Sequence, residues 1–205
     1  SLLKATGLLG GGFLIGQLGA GRALAEEAVQ DLVVSGELNA YIRVTSDGRI
    51  TIYSANPEMG QGIKTALPMI IAEELGAAWE DVEVLQSPVD ESTFGRQGAG
   101  GSTSIPRNFD AMREMGASAR EMFIGAGSLV MEVPREELDT ADSKVIHTSG
   151  RYMTFGQLAS LAAKQEVPDP GSLAFRERED YRIIGTSVSG VDNPSITTGL
   201  ALFGI

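Results

Sequence analysis

The chain has 205 residues, a formal net charge of -11 and no cysteine. An acidic chain is poorly suited to bind nucleic acid, because contacts to phosphates need Lys and Arg side chains. Without cysteine the chain cannot hold an iron–sulfur cluster through thiolates or form a disulfide, so any electron relay lies on partner subunits.

The first 25 residues have the pattern of an export signal. Lys4 precedes an uncharged, glycine-rich apolar stretch at residues 5–21, and Ala23-Leu24-Ala25 fits a cleavage site. The beginning of this segment resembles the end of a twin-arginine signal, which directs bacterial export. We predict a hydrophobic helix over residues 2–21 that anchors the domain on the periplasmic side of the cytoplasmic membrane. An uncleaved peptide lying on the protein surface is the alternative.

Residues 26–166 predict an α+β domain with mixed or antiparallel sheets and packed helices. Apolar and polar residues alternate at 38–45 and 49–54 around a Ser-Asp-Gly turn, which indicates a β-hairpin. Apolar residues from Ile63 to Leu75 have helical spacing, and those from Val82 to Gln86 alternate as in a strand. The predicted order is therefore β, β, α, β.

Residues 56–62, Asn-Pro-Glu-Met-Gly-Gln-Gly, lead directly into that helix. Gly60 and Gly62 allow the backbone to approach a ligand closely, and the Gln61 side chain adds one acceptor and two donors. The first amides of a helix have no intrahelical partner and lie at the positive end of its dipole. This first loop suits an anion or the polar edge of a cofactor; an ordinary glycine turn at a helix start is the alternative.

Residues 95–104 form a second loop rich in glycine and hydroxyl groups, again before a helical pattern at 105–130. Arg96 and Arg107 flank it and either pair with a phosphate through a guanidinium fork or cover the surface. Neither loop is a Walker A motif, and neither fits the GxGxxG dinucleotide fingerprint. The two loops are predicted to converge on one large phosphorylated ligand, with a flexible surface loop as the alternative for the second.

The remaining pattern predicts a helical turn at 134–138, a hairpin formed by 144–147 and 151–153, and a helix at 154–164 capped by Thr154. Residues 167–205 have the proline, glycine and charge content of an extended linker, which leads towards a domain absent from this chain.

Four further residues are candidates for a functional role. His147 is the only histidine, so a structural role is favoured over a metal site, which needs three or four ligands. Glu73 and Glu74 are predicted to be solvated on a helix face and not catalytic, and Trp79 is interpreted as a core or interface aromatic. The chain is thus predicted to contain no catalytic residue and no metal ligand.

Four motifs occur in order along the chain: Pro57-Glu58-Met59-Gly60-Gln61-Gly62, Ala72-Glu73-Glu74-Leu75, Trp79-Glu80-Asp81-Val82 and Gly100-Gly101-Ser102-Thr103-Ser104. Through them the sequence from about residue 38 to 205 resembles the molybdopterin-binding subunit of the xanthine oxidase family, in the branch of isoquinoline 1-oxidoreductase beta subunits and membrane-bound aldehyde dehydrogenases. The resemblance implies that Gln61, with Gly60 and Gly62, contacts the pterin near molybdenum. It also implies that Gly100, Gly101, Ser102, Thr103 and Ser104 hold the pterin or the phosphates of the cofactor, expected as molybdopterin cytosine dinucleotide.

The resemblance further implies part of a periplasmic, membrane-associated molybdenum hydroxylase that oxidises aldehydes to carboxylic acids. Hydroxylation of N-heterocycles such as isoquinoline, and a non-catalytic anchoring or assembly subunit, are the alternatives. The family's glutamate base is expected outside this chain, because the chain is either a split subunit or a truncated one. Expected partners are the remaining molybdopterin domains on another chain, a 2Fe-2S subunit, a cytochrome c subunit that carries haem, and the membrane; no nucleic acid is expected.

Overall fold

The computed structural model describes residues 12–15 and 41–202, which form a mixed α/β arrangement of two small sheets and packed helices. The first sheet has the order β1-β2-β3-β4, with strands Gly12–Ile15, Ile42–Thr45, Ile50–Ser54 and Val82–Gln86. β2 and β3 form the predicted antiparallel hairpin, whereas β4 pairs with β3 in parallel. A parallel neighbour requires a crossover, and the helix between β3 and β4 supplies it.

The second sheet is antiparallel and has the order β5-β6-β7, with strands Leu138–Ala141, Lys144–His147 and Tyr152–Thr154. The predicted hairpin of β6 and β7 is confirmed, but β5 was not predicted. The predicted helical turn is restricted to a 3-10 turn at Arg135–Glu137. The turn from β5 to β6 places Asp142 and Ser143 at φ values of 49° and 57°. Such turns usually carry glycine, so this Asp-Ser pair gave only a weak hairpin signal.

Five α-helices accompany the sheets in the described ranges. They are α1 (Ile63–Leu75), α2 (Glu91–Phe94), α3 (Ser104–Met131), α4 (Phe155–Ala162) and α5 (Asn193–Thr197). α1 begins and ends where it was predicted, and α3 matches its prediction to within one residue at each end. Thr154 caps α4 as predicted, in a capping box with Gln157.

The core lies between the first sheet and helices α1, α3 and α4. α3 approaches α1 so closely that a Cβ atom at Gly116 would lie 2.4 Å from the carbonyl oxygen of Ile71. On the other side, the rings of Phe123 in α3 and Phe155 in α4 stack with centroids 4.2 Å apart. Trp79 packs against this core half-buried, which agrees with its interpretation as a core aromatic.

The N-terminal helix predicted over residues 2–21 is wrong at Gly12–Ile15, which form strand β1. The backbone of β1 pairs antiparallel with β2, because the outer edge of β2 offers N–H and C=O groups to a further strand. Phe, Leu and Ile also suit a strand as well as they suit a helix. The rest of the predicted anchor lies outside the described residues. Within the described ranges, no helix has both the length and the apolar character that a membrane crossing requires.

Glu73 and Glu74 are buried, at 3% and 1% exposure, which corrects the prediction that they are solvated. The Glu73 carboxylate accepts N–H groups from Arg182, Ile183 and Ile184 of the C-terminal segment at 2.7–3.0 Å. A carboxylate is stable inside a protein when its oxygens accept several hydrogen bonds, and this one does.

Glu74 completes the same attachment. Its carboxylate accepts from the Arg176 amide at 3.0 Å and pairs with Arg113 and Arg120 at 2.6 and 3.1 Å. The described part of the predicted linker is therefore tied along α1. The burial of both glutamates depends on residues more than a hundred positions later in the chain, which no local pattern could indicate.

Candidate functional site

The two glycine loops lie at the same edge of the first sheet. The first loop follows β3, whose last residue is Ser54, and the second comes after β4, whose last residue is Gln86, and the short helix α2. Because β3 and β4 run in parallel, their carboxyl ends meet at one edge. Crevices outside the carboxyl ends of parallel strands are common ligand sites. Strand direction thus brings together two sequence segments that lie some forty residues apart.

Asn56 joins the two loops directly. It is only 2% exposed, and its Nδ2 donates to the Gly98 carbonyl oxygen at 2.9 Å. Asn108, from the first turns of α3, donates to Asn56 Oδ1 at 3.4 Å and to the Ser104 carbonyl at 2.7 Å. One buried amide side chain therefore connects the two loops by a hydrogen bond.

Gln97 fixes the second loop to the end of β4. Its Nε2 donates to Ser87 Oγ at 2.8 Å and to the Pro88 carbonyl at 2.7 Å, and its Oε1 accepts from the Asp90 amide at 2.6 Å. Asn56 and Gln97 were not predicted to have these roles. The sequence shows only that Asn56 comes just after a strand. Its burial, which indicates the role, is visible only in the fold.

Glu58 occupies the start of α1. Its Oε1 accepts the backbone N–H groups of Gly60 and Gly62 at 2.7 and 3.0 Å, and its Oε2 accepts that of Lys64 at 2.9 Å. The N-cap residue Gly62 has no side chain to do this. The amides that the sequence predicted to be open to an anion are therefore bound to a carboxylate of the same loop.

Two opposing effects act on the pKa of Glu58. Burial raises the pKa. The N–H donors of Lys64, Gly62 and Gly60 together lower it by more than burial raises it, so the pKa lies below its usual value of 4.5. The side chain is consequently ionised at neutral pH and matches the positive end of the α1 dipole.

The Gln61 side chain folds back onto its own loop. Its Oε1 accepts from the Met59 amide at 2.6 Å, and its Nε2 donates to the Pro57 carbonyl at 2.9 Å. An amide has one further donor hydrogen and one further lone pair. Gln61 is exposed, so this remaining capacity faces solvent at a fixed place.

The second loop has free donors at the equivalent place. Within residues 41–202, the amides of Gly101 and Ser102 and the hydroxyls of Ser102 and Ser104 have no hydrogen-bond partner. Thr103 precedes α3 without capping it, since its hydroxyl donates to the Gly100 carbonyl at 3.1 Å. The start of α3 is uncapped, and exposed donors surround it.

The flanking arginines are also free. Arg96 and Arg107 are both exposed, and neither pairs with a carboxylate in the described part of the chain. Arg107 lies in the first turn of α3. Unpaired guanidinium groups beside free amides favour an anionic ligand at the second loop.

A cavity of about 620 Å³ lies between the first loop, the start of α1 and the C-terminal segment. Glu58, Met59 and Gly60 form one side of it, and residues of the C-terminal segment such as Asn193 and Ile196 form the other. Lys64 at its wall pairs with Asp192 at 2.7 Å. The second loop does not line this cavity.

His147 is buried, and both of its ring nitrogens lie within hydrogen-bond distance of a side chain. Its Nε2 lies 2.7 Å from Glu137 Oε2, and its Nδ1 lies 2.7 Å from Ser149 Oγ. The Ser149 amide also donates to Nδ1 at 3.1 Å, so Nδ1 is the acceptor and Nε2 carries the proton towards Glu137. In the described ranges no cluster of His, Asp or Glu side chains could hold a metal ion.

Comparison with known proteins identifies a family for this arrangement. A model of the molybdopterin cofactor-binding domain matches residues 9–202. The chain is 30% identical to isoquinoline 1-oxidoreductase subunit beta of Brevundimonas diminuta, over 82% of this chain and 26% of that protein. It is 29% identical to the membrane-bound aldehyde dehydrogenase (pyrroloquinoline-quinone) of Gluconacetobacter polyoxogenes, over 82% of this chain and 22% of that protein.

The chain therefore spans about a quarter of the length of these relatives. Among solved structures, the reconstituted CO dehydrogenase from Oligotropha carboxidovorans is similar with a TM-score of 0.48 and 18% identity, over 73% of this chain and 18% of that chain.

Proposed function

Since the chain belongs to the molybdopterin cofactor-binding domain family, we propose that it supplies pterin and phosphate contacts within a periplasmic, membrane-associated molybdenum hydroxylase. The chain would act as the N-terminal part or as a split subunit of that enzyme. The membership confirms the family resemblance that the sequence motifs carry.

One observation supports this function above the others: two glycine loops meet at one sheet edge and present complementary groups. The second loop offers the free amides of Gly101 and Ser102, two free hydroxyls and two unpaired arginines. This donor set fits the phosphates of a pterin cofactor, and cysteine or histidine ligands are not needed because the pterin holds the metal. The first loop offers the remaining donor and acceptor of Gln61, which fit the polar edge of a pterin.

The role of each loop follows from its free groups. Gly100, Gly101, Ser102, Thr103 and Ser104 would hold the phosphate portion, and an uncapped α3 start favours that negative charge. Gln61, supported by Gly60 and Gly62, would contact the pterin. We expect the cytosine dinucleotide form of the cofactor.

When bound, molybdenum would supply oxidation of the substrate with water as the oxygen source. The chain itself would bind and orient the cofactor, and the proton-accepting glutamate would come from a part of the enzyme outside this chain. With no cysteine in the sequence, 2Fe-2S and haem centres would belong to partner subunits. The chain alone is then catalytically incomplete.

We propose an aldehyde as the substrate, with a carboxylic acid as the product. The relative named as an aldehyde dehydrogenase supports this choice. The relative named isoquinoline 1-oxidoreductase supports the second candidate, hydroxylation of an N-heterocycle. Both reactions would use the same cofactor contacts, so the residues proposed here do not depend on the choice.

Metal analysis and substrate screening of the purified complex test the function. We expect molybdenum and pterin in the complex that carries this chain, and turnover of aldehydes in preference to isoquinoline and related heterocycles. Preferential turnover of heterocycles would reverse the substrate proposal. A complex without molybdenum would overturn the function itself and favour an anchoring or assembly subunit.

Export to the periplasm, at the outer face of the cytoplasmic membrane, is proposed from the signal-like pattern of residues 1–25. Replacement of these residues by a cleavable export signal should release an active, cofactor-bearing complex into the soluble periplasmic fraction. If that variant stayed with the membrane in full yield, contacts with partner subunits would be the anchor.

A further inference from the structure

We infer that Glu58 is a positioning residue for Gln61, and that its carboxylate reserves the first loop for a polar, non-phosphate edge of the ligand. The part that concerns the ligand rests on the proposed function. The part that concerns the loop rests on the hydrogen bonds alone. Glu58 acts as an internal anion that the fold places at the start of α1.

Glu58 contacts the backbone symmetrically on the two sides of Gln61. Glu58 Oε1 accepts from the residue before Gln61 and from the residue after it, Gly60 at 2.7 Å and Gly62 at 3.0 Å. The second oxygen reaches the Lys64 amide at 2.9 Å, in the first turn of α1. The backbone on both sides of Gln61 is therefore hydrogen-bonded to one carboxylate, which is itself hydrogen-bonded to the first turn of α1.

The Glu58 carboxylate supports a loop conformation with two glycines at positive φ. Gly60 and Gly62 have φ values of 97° and 81°, which side-chain-bearing residues rarely adopt, and nothing lies within 4 Å of a Cβ placed at either. Space around the two glycines is open, so the packing of neighbours does not hold the loop. Hydrogen bonds hold it, and those of Glu58 are charge-assisted and therefore the strongest.

The Glu58 carboxylate also excludes a competing anion from the start of α1. The amides of Gly60, Gly62 and Lys64 would suit a phosphate, but the Glu58 carboxylate already occupies them. A second carboxylate, Asp192, lies beside the same helix start and pairs with the Lys64 side chain at 2.7 Å. A phosphate at this place would have to displace the Glu58 carboxylate from its three N–H donors, and the Lys64 ammonium is already paired with Asp192, which together disfavour it.

The consequence is a fixed orientation of the ligand across the sheet edge. The phosphate portion is directed to the second loop, whose amides are free, and the uncharged polar edge is directed to Gln61. Glu58 contributes to that selection without touching the ligand. Removal of the Glu58 side chain should loosen the loop and open the first site to phosphate.

Hydrogen–deuterium exchange of the purified complex tests the loop. In Glu58→Gln, and more strongly in Glu58→Ala, the amides of Gly60, Gly62 and Lys64 should exchange at least about fivefold faster, as expected when a helix cap is lost. Glu166→Gln is the matched control, because Glu166 is exposed and makes no hydrogen bond or ion pair within residues 41–202. Unchanged exchange in both Glu58 variants would overturn the positioning role.

Inorganic phosphate tests the exclusion. In Glu58→Ala, millimolar phosphate should slow the exchange of the same amides back towards the wild-type rate, whereas wild type and Glu58→Gln should not respond. Equal protection by phosphate in wild type would show that the carboxylate does not fill the site, and the exclusion would be wrong.

A double-mutant cycle tests whether Glu58 acts through Gln61. Molybdenum per chain should fall in Glu58→Gln and in Gln61→Ala, and the double variant should lose no more than the worse single variant. Independent losses that multiply would show a general structural effect and overturn positioning. If wild type itself holds no molybdenum, the proposed function fails, and the exchange and phosphate results still decide the role of Glu58.

Discussion

The loop before α1 and the loop before α3 both place glycines at the start of a helix, but only the first carries its own anion. In the first loop the Glu58 carboxylate accepts from Gly60, Gly62 and Lys64. In the second loop no side chain caps α3, and the amides of Gly101 and Ser102 are free within the described residues. Two loops of similar composition thus differ in their backbone amides, which are hydrogen-bonded to a carboxylate in the first loop and free in the second.

This difference teaches that glycine content does not identify an anion site. Glycine allows amides to point outwards, but a ligand can use them only when the protein leaves them without a partner. A carboxylate four residues before an N-cap, such as Glu58 before Gly62, removes that freedom. Substitutions in the two loops test this contrast.

Gly101→Val should abolish cofactor loading. Gly101 has a φ of 62°, so a branched side chain there is strained by about 1–2 kcal/mol, and its Cβ would lie 3.8 Å from the Thr103 methyl group within the proposed phosphate loop. Molybdenum and nucleotide content of the purified complex measure the loss. Gly150→Val is the matched control, because Gly150 has a φ of 86° in open space at the β6–β7 turn and shares only the strain. Normal cofactor content in Gly101→Val would contradict the phosphate role of the second loop.

Asn56→Ala should lower the free energy of unfolding by about 1–1.5 kcal/mol, because it removes the part-buried hydrogen bond from Asn56 Nδ2 to the Gly98 carbonyl oxygen. Denaturant unfolding measures this change. Asn193→Ala should have little effect, since the Asn193 side chain is exposed and makes one weak bond at 3.2 Å. If the two variants were equally stable, Asn56 would not be what joins the loops.

Glu58→Gln should lower stability by about 1 kcal/mol at neutral pH, as the loss of a charged helix cap does. The folded-state pKa of Glu58 is lowered, so its contribution is complete above the usual value of 4.5 and is lost as the pH falls through the folded pKa. The difference in Tm between wild type and variant should therefore be constant near pH 7 and shrink below about pH 4.5. A difference that grew on acidification would have the wrong sign.

Gln61→Ala should change stability by no more than about 0.5 kcal/mol, since the side chain is exposed and bonds only within its loop. Cofactor occupancy or turnover should fall all the same, because the variant removes a ligand-facing group. Thermal unfolding and metal analysis of one preparation separate the two effects. A structure of the complex with the pterin beyond about 5 Å from Gln61 would contradict the contact.

Several elements could be predicted from the sequence because short-range periodicity determines them. α1, β4 and β6 have the predicted bounds, and the capping box of Thr154 and Gln157 was readable from four adjacent residues. The positions of both loops followed from glycines before helical patterns. Strand β1 could not be predicted, because an apolar, glycine-containing stretch suits either a helix or a strand until a neighbouring edge is available.

The sequence by itself therefore determined the local elements, the two glycine loops and, through the motifs, the family. The tertiary structure alone decided that β3 and β4 are parallel, which brings both loops to one sheet edge. It also decided that Glu73 and Glu74 are buried, because the amides that satisfy their carboxylates come from the C-terminal segment. Periodicity reports which face of an element is apolar. Which distant amide meets a given carboxylate depends on how the chain returns, and that is set only when the whole fold packs.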